Sequence, residues 1–158
     1  MSVDADTFRS LMGRFASGVT VVTLVDADGR DNGLTVTAFA SLSLEPALVL
    51  ICVDRAASLH PLLRAVSTFA VNILSANQEA LARRFAATIP DRFDGIGYTR
   101  GTLGAALLDE ALVHLECRKV QELPGGDHTI FLGEVESGTI GSGAPLLYYR
   151  GGYAQLER

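Results

Sequence analysis

The chain has 158 residues, 48% of them hydrophobic and 20% charged, with a formal net charge of −5. That length and apolar share suit one domain with a single core and exclude a disordered chain, because burial can offset the ordering entropy. The acidic balance argues against nucleic acid or an anionic membrane as partner, and the longest apolar run, residues 48–53, is far too short to span a bilayer.

The first residues are acidic and polar, unlike a secretory signal, so a cytoplasmic location and one domain over residues 1–158 are expected. Residues 6–15 predict a short helix, with Phe8, Leu11, Met12 and Phe15 at helical spacing and aimed at the body of the domain. Residues 18–25 are rich in β-branched side chains and predict a strand. The turn formers of 26–33 should close a hairpin onto a second strand, 34–44. A third strand, 48–53, is apolar on both faces and is expected to be central and buried. A helix over 58–66, a strand over 69–74 and a helix over 75–86 follow, then a loop-rich stretch over 90–104. Two long strands, 111–122 and 129–140, flank the turn 123–127, and a last strand covers 146–149. Strands dominate and no regular βαβ alternation is present. The fold class is therefore mainly β, an antiparallel barrel with a few flanking helices.

Two glycine patterns carry no chemistry. The GxGxxxG of Gly95–Gly101 lacks the preceding buried strand of a dinucleotide fold, and residues 138–143 lead to another strand instead of a helix. Neither a phosphate-binding lysine loop nor a metal-spaced Cys/His cluster is found, so no metal is expected. Both cysteines, Cys52 and Cys117, fall in strand patterns and read as buried thiols without a CxxC spacing.

The segment 33–44 is more informative. At a period of two, Leu34, Val36, Ala38, Ala40, Leu42 and Leu44 form one apolar face. The other face carries Thr35, Thr37, Ser41 and Ser43 around Phe39, a ribbon of hydroxyls that fits a polar ligand or an ordinary solvated strand. Next, Arg55, the Ser58 hydroxyl, His60 and the amides of a helix start can converge on an anion such as phosphate. Ser58 can equally cap that helix. Arg83 and Arg84, beside Phe85, add a second basic spot or a solvated helix face. His114 reads as a structural histidine within a strand, whereas His128 stands at the rim of the long hairpin, where functional groups are often displayed.

These blocks in this order resemble a known family. They are residues 15–23 (Phe15-Ala16-Ser17-Gly18 and the strand after it), 33–50, Ser58-Leu59-His60-Pro61, Phe69-Ala70-Val71-Asn72, Arg84-Phe85, Gly126-Asp127-His128 and residues 147–153. The chain resembles the flavin reductase-like proteins with an FMN-binding split barrel, the small reductase components of two-component monooxygenases. Glu45-Pro46-Ala47 stands where that family usually has an Asp-Pro-Pro turn. The resemblance implies a six-stranded antiparallel Greek-key split β-barrel that forms a homodimer, with flavin near the interface. It implies that Thr35, Val36, Thr37, Ala38, Ser41 and Leu42 lie along the isoalloxazine and ribityl chain. Asp54, Arg55, Ala56, Ala57, Ser58 and His60 would form the phosphate loop, and Arg84 and Phe85 would lie near the flavin phosphate or the adenine end of FAD. His128 and Tyr153 would approach the nicotinamide, His128 as the residue that positions or polarises it, with Arg150 a lesser candidate. The implied activity is an NAD(P)H:flavin oxidoreductase: hydride passes from C4 of NADH or NADPH to N5 of FAD or FMN. Reduced flavin then diffuses to a separate monooxygenase. The other reading is a flavin-binding electron-transfer or carrier protein that keeps its flavin. Because the cofactors carry the chemistry, the lack of a nucleophile or carboxylate pair fits either.

Overall fold

The computed structural model describes residues 1–157. In chain order the elements are α1 (Ala5–Met12), β1 (Ser17–Gly18), β2 (Thr20–Val25), β3 (Asp31–Val36), β4 (Phe39–Ser43), β5 (Leu48–Asp54), α2 (Leu59–Ala65), β6 (Thr68–Ile73), α3 (Glu79–Ala86), β7 (Tyr98–Arg100), β8 (Ala106–Leu108), β9 (Val113–Gly125), β10 (His128–Ile140), β11 (Leu146–Tyr149) and β12 (Gly152–Gln155). No helix among the described residues is long and apolar enough to cross a membrane.

The main sheet has seven strands in the order β3-β2-β6-β9-β10-β5-β4, every neighbouring pair antiparallel. That is one strand more than the six expected, because residues 34–44 are two strands and not one. Both ends of the sheet thus come from a single stretch of chain. One core cluster draws on all seven strands, including Val36 of β3, Phe39 of β4, Val22, Ile51, Val71, Cys117 and Phe131. A flat sheet could not bring its two edges to one core. The sheet is curled into a barrel, closed by the bend at Thr37-Ala38.

The bend changes the phase of the side chains. Val36 and Phe39 both point inward although they are three residues apart, so the apolar face expected over 34–44 does not continue. Leu42 is 48% exposed and Leu44 94%. The strand expected to be buried on both faces, 48–53, alternates instead, with Val49, Ile51 and Val53 inside and Leu48, Leu50 and Cys52 half-exposed. It lies next to the edge. β2 is the doubly buried strand: Val22 and Leu24 face the barrel, while Val19 and Val21 face a second cluster with Leu74, Ala82, Phe85, Leu108 and Leu146. The sheets β1-β11-β12 and β7-β8, together with α3, cover that outer side. β7 lies within the stretch 90–104 expected to be loop, β8 follows it, and β12 follows the last strand expected.

The long hairpin is β9–β10, turned by Gly126-Asp127 alone. Gly126 has φ 66°, which places glycine at the first central position of a type II′ turn. Asn72 joins β8 to the sheet. Its Nδ2 donates to the Val21 carbonyl at 3.0 Å, and its Oδ1 accepts from the Leu108 amide at 2.8 Å. The apolar stripe of α1 does not pack on the body as expected: Phe8, Leu11, Met12 and Phe15 are 53–77% exposed.

Gly33 marks the tightest packing of barrel against α3. A Cβ there would lie 2.8 Å from Phe85 Cε1 and 3.3 Å from the Val22 carbonyl oxygen, and the Phe85 ring is fully buried with nowhere to move. Gly33→Ala should therefore cost about 1–3 kcal/mol by overpacking. Thermal unfolding should show Tm lowered by about 3–10 °C; an unchanged Tm would mean that Phe85 can yield.

Candidate active site

The C-terminal end of β5 brings together three of the segments singled out in the sequence, the 37–38 bend, the 54–58 loop and His128. There Cys52 N donates to the Ala38 carbonyl at 3.0 Å, which docks the Thr37-Ala38 bend beside the strand. His128, the first residue of β10, stands opposite Asp54, the last of β5. The loop from Asp54 to α2 leaves from the same point. Bend, loop and histidine are thus neighbours through sheet register, not through sequence.

The loop is folded by Asp54. Its Oδ1 accepts from Ala56 N at 2.8 Å and its carbonyl from Ala57 N at 3.0 Å, an Asx turn that delivers the chain into α2. Ser58 stands at the N-cap, yet its backbone is already helical (φ −60°, ψ −28°) and its hydroxyl makes no capping bond. Among the described residues, the Ser58 and Leu59 amides likewise donate to no backbone carbonyl outside the helix. One hydroxyl and two N–H groups therefore stay free at the rim of a cavity of about 470 Å³. Its other walls are Asp31, Asn32 and Gly33 of β3 and the 88–93 loop. This is a donor set for a phosphate.

Arg55 and His60 do not join it. They line a different cavity of about 360 Å³ with Arg64, Glu122 and Thr129. His60 is buried, its Nε2 is 2.8 Å from Thr129 Oγ1, and its ring meets Phe131 edge-on. It serves as a strut between α2 and β10. The expected convergence of Arg55, Ser58 and His60 on one anion is corrected accordingly: the turn at Ala56-Ala57 sends them into two cavities.

Along the bend, Thr35 is also committed, its hydroxyl donating to the Ala82 carbonyl of α3 at 2.6 Å. Its side chain ties barrel to helix, which corrects the picture of an unbroken hydroxyl ribbon facing a ligand. Val36 is buried in the core, so only its backbone can meet a ligand. Thr37 is half-buried, while Ala38, Ser41 and Leu42 are exposed. Among the described residues the Thr37 and Ser41 hydroxyls have no protein partner. They offer free polar groups on a shelf of small side chains.

At the hairpin rim, His128 Nδ1 is 2.7 Å from Asp127 Oδ1. The hydrogen bond and charge of His128, with Arg55 adding to them, hold the Asp127 carboxyl below the usual aspartate range. The Asp127 carbonyl accepts from Arg55 N at 3.0 Å, so the hairpin turn and the 54–58 loop are joined by backbone.

Arg84 and Phe85 make their contacts within the chain. Arg84 Nε donates to the Arg92 carbonyl at 2.6 Å, and its Nη2 to Asp91 and Asp94 carbonyls at 3.0 and 2.8 Å. Arg92 in turn donates to the Ala87 and Gly33 carbonyls at 2.9 and 2.7 Å. The two guanidinium groups pin the wall of the Ser58 cavity. Phe85 is fully buried between Gly33 and Phe93. Tyr153 lies apart from His128, beneath Arg83 (5.0 Å to the ring centroid) and edge-on to Tyr148, in a small cavity of about 300 Å³. Burial pushes its phenol above the usual tyrosine range. His114 is structural, as read, bonded to Thr139 Oγ1 and the Leu108 carbonyl. Sequence reasoning missed Arg92 and the loop it holds, for which no periodicity exists. It also missed the bond from Asp127 to His128, which their adjacency alone would have suggested.

A family model described as "Flavin reductase like domain" matches residues 12–157. The reductase subunit HsaB of a flavin-dependent monooxygenase from Rhodococcus jostii is 38% identical over 157 residues, covering 99% of this chain and 80% of that protein. An NADH-dependent FAD reductase from Streptomyces globisporus is 44% identical over 154 residues, covering 94% and 84%. Among solved structures, the NADH:FAD oxidoreductase SgcE6 of Streptomyces globisporus C-1027, in complex with NAD and FAD fragments, aligns with TM-score 0.93. It shares 41% identity and covers 99% of this chain and 97% of its own. Fold, length and sequence thus agree with the strands and loops described above, and the chain belongs to the flavin reductase-like family.

Proposed function

We propose that this chain is an NADH-dependent flavin reductase that supplies reduced FAD or FMN to a separate monooxygenase. The observation that carries the reading is the gathering at the end of β5, where sheet register and backbone hydrogen bonds join the 37–38 bend, the 54–58 loop with its free donors, and His128. The donor set fits a flavin. Ser58 Oγ and the amides of Ser58 and Leu59 suit its phosphate, and Thr37, Ser41 and the backbone of 35–42 suit its polar ring edge and ribityl chain. A flavin held there would supply the hydride acceptor, its N5, for C4 of reduced nicotinamide. The chain's part is to bind and align. The bend 37–38 offers small side chains so that a ring can approach the backbone. The loop 54–58 holds the anionic end. His128 presents its ring to the dinucleotide, and the donors near the bend favour negative charge where it builds up.

A homodimer belongs to the same reading. Among the described residues α1 projects an apolar face that the chain leaves largely uncovered, and Leu11 at 60% and Phe15 at 77% exposure are costly to leave in water. Tyr153 and His128 lie in separate places on one chain, so a second copy is the natural route to a fuller enclosure. Leu11→Asp with Phe15→Ser should shift the sedimentation mass to that of a 16.8 kDa monomer. An unchanged mass would leave this face to some other role.

The activity is tested by crossing FAD and FMN with NADH and NADPH. NADH oxidation should be fast only when free flavin is added. A protein that purifies with its flavin and turns over no nicotinamide would favour the carrier reading. His128→Ala should raise the KM for NADH about tenfold, the loss of one charge-assisted hydrogen bond, and leave the KM for flavin within about twofold. Ser58→Ala should do the reverse. Arg84→Gln separates wall from ligand. Amide exchange should quicken over 91–94 before flavin binding changes, whereas a direct phosphate contact would weaken flavin binding with exchange unaltered.

A further inference from the structure

The hairpin turn carries a carboxylate that the reading above leaves without a task. The type II′ geometry at Gly126-Asp127 sets Asp127 directly before His128, and both ends of the turn are fixed. Gly125 pairs with His128 across the hairpin, and the Asp127 carbonyl is held by Arg55 N at 3.0 Å. With that backbone locked, Asp127 Oδ1 stands 2.7 Å from His128 Nδ1. No other side chain among the described residues bonds this carboxylate, and Nε2 of His128 has no protein partner.

A carboxylate at Nδ1 decides two things. It accepts a hydrogen bond from Nδ1–H, so a neutral ring carries its hydrogen there and leaves Nε2 as an acceptor; a charged ring keeps Nε2–H as a donor. It also stops the ring from rotating about its χ2 bond, so that the same edge always faces outward. An imidazole without such a partner in water prefers the other tautomer and samples both ring orientations.

We propose that Asp127 is a positioning residue for His128, fixing its tautomer and ring orientation so that Nε2 is the atom presented to the nicotinamide dinucleotide. The inference rests on His128 facing that substrate. It adds a division of labour within the turn: the Asp127 carbonyl anchors the 54–58 loop through Arg55, and its carboxylate orients the histidine. One residue therefore links the two halves of the site.

Asp127 is exposed, so its replacement should not disturb folding. In wild-type protein, ring ¹⁵N shifts should show His128 protonated at Nδ1, the His128 signals being those that vanish in His128→Ala. In Asp127→Ala they should move to the Nε2–H form, and the KM for NADH should rise about fivefold to tenfold with kcat and flavin KM nearly unchanged. Asp127→Asn, whose side-chain oxygen can still accept from Nδ1, should restore most of both. If His128→Ala raises the KM for NADH while Asp127→Ala alters neither tautomer nor KM, the positioning role falls and the reading of His128 stands. If the tautomer shifts but neither variant changes NADH kinetics, the reading of His128 itself is overturned, and the inference with it.

Discussion

The site depends on one constraint: a seven-stranded sheet whose two edges belong to the same stretch of chain. β3 and β4 must be far apart in sheet order yet contiguous in sequence, so the chain has to bend sharply between Val36 and Phe39. The bend closes the barrel by bringing both residues into one core. It also interrupts strand pairing where Thr37 and Ala38 stand, and an interrupted strand frees polar groups for a ligand. Core closure and ligand shelf are therefore the same event. A change that straightened 36–39 would open the core and remove the shelf together.

Around that bend, backbone bonds do most of the positioning. Ala38 is tied to β5, Arg55 N to the hairpin turn, and the Asp54 carboxylate and carbonyl to the two amides of its own turn. Buried His60 adds a bond from α2 to β10, one residue from His128. By comparison the surface ion pairs, such as Arg83–Glu79 and Arg9–Asp6, join exposed side chains on single helices and contribute little to stability. The loop is held by short bonds to strands that run through the core, so it should be nearly formed before any ligand arrives.

The sequence made the strand-rich class, the long β9–β10 hairpin, most element positions and the loop after β5 legible, because each has a local signature of β-branched runs, turn formers or helix starts. Non-local geometry stayed hidden. A period of two cannot register a bend that keeps Val36 and Phe39 on one side, so the apolar face was projected on to Leu42 and Leu44, which are exposed. The spacing of Arg55, Ser58 and His60 suggested a shared target, but one tight turn divides them. Arg84 and Phe85 look like a cationic and aromatic contact in a line of letters; in space one binds carbonyls and the other fills the gap that Gly33 leaves. The α1 stripe predicts inward packing but is exposed, because helical periodicity says that a face will be covered and not by what. The order of the blocks carries the resemblance to a family, and the resemblance the expected cofactors, while the side-chain contacts come only from the fold.

The distribution of positive charge bears on how tightly a flavin would be held. Near the Ser58 cavity, Arg84 and Arg92 direct most of their donors at main-chain carbonyls, Arg100 is paired with Asp31, and Arg55 faces the other cavity. A phosphate bound at Ser58, as proposed, would meet a hydroxyl and amides, with guanidinium groups acting from behind the wall. Neutral donors at an open rim give orientation with less binding energy than a bidentate arginine would. For a protein that keeps its flavin that would be a defect. For one that must release reduced flavin to another enzyme it is the better arrangement, because every extra contact made equally by oxidised and reduced flavin slows departure without speeding hydride transfer. An acidic chain whose Arg84 and Arg92 are bound to main-chain carbonyls beside the Ser58 cavity fits a reductase whose product leaves.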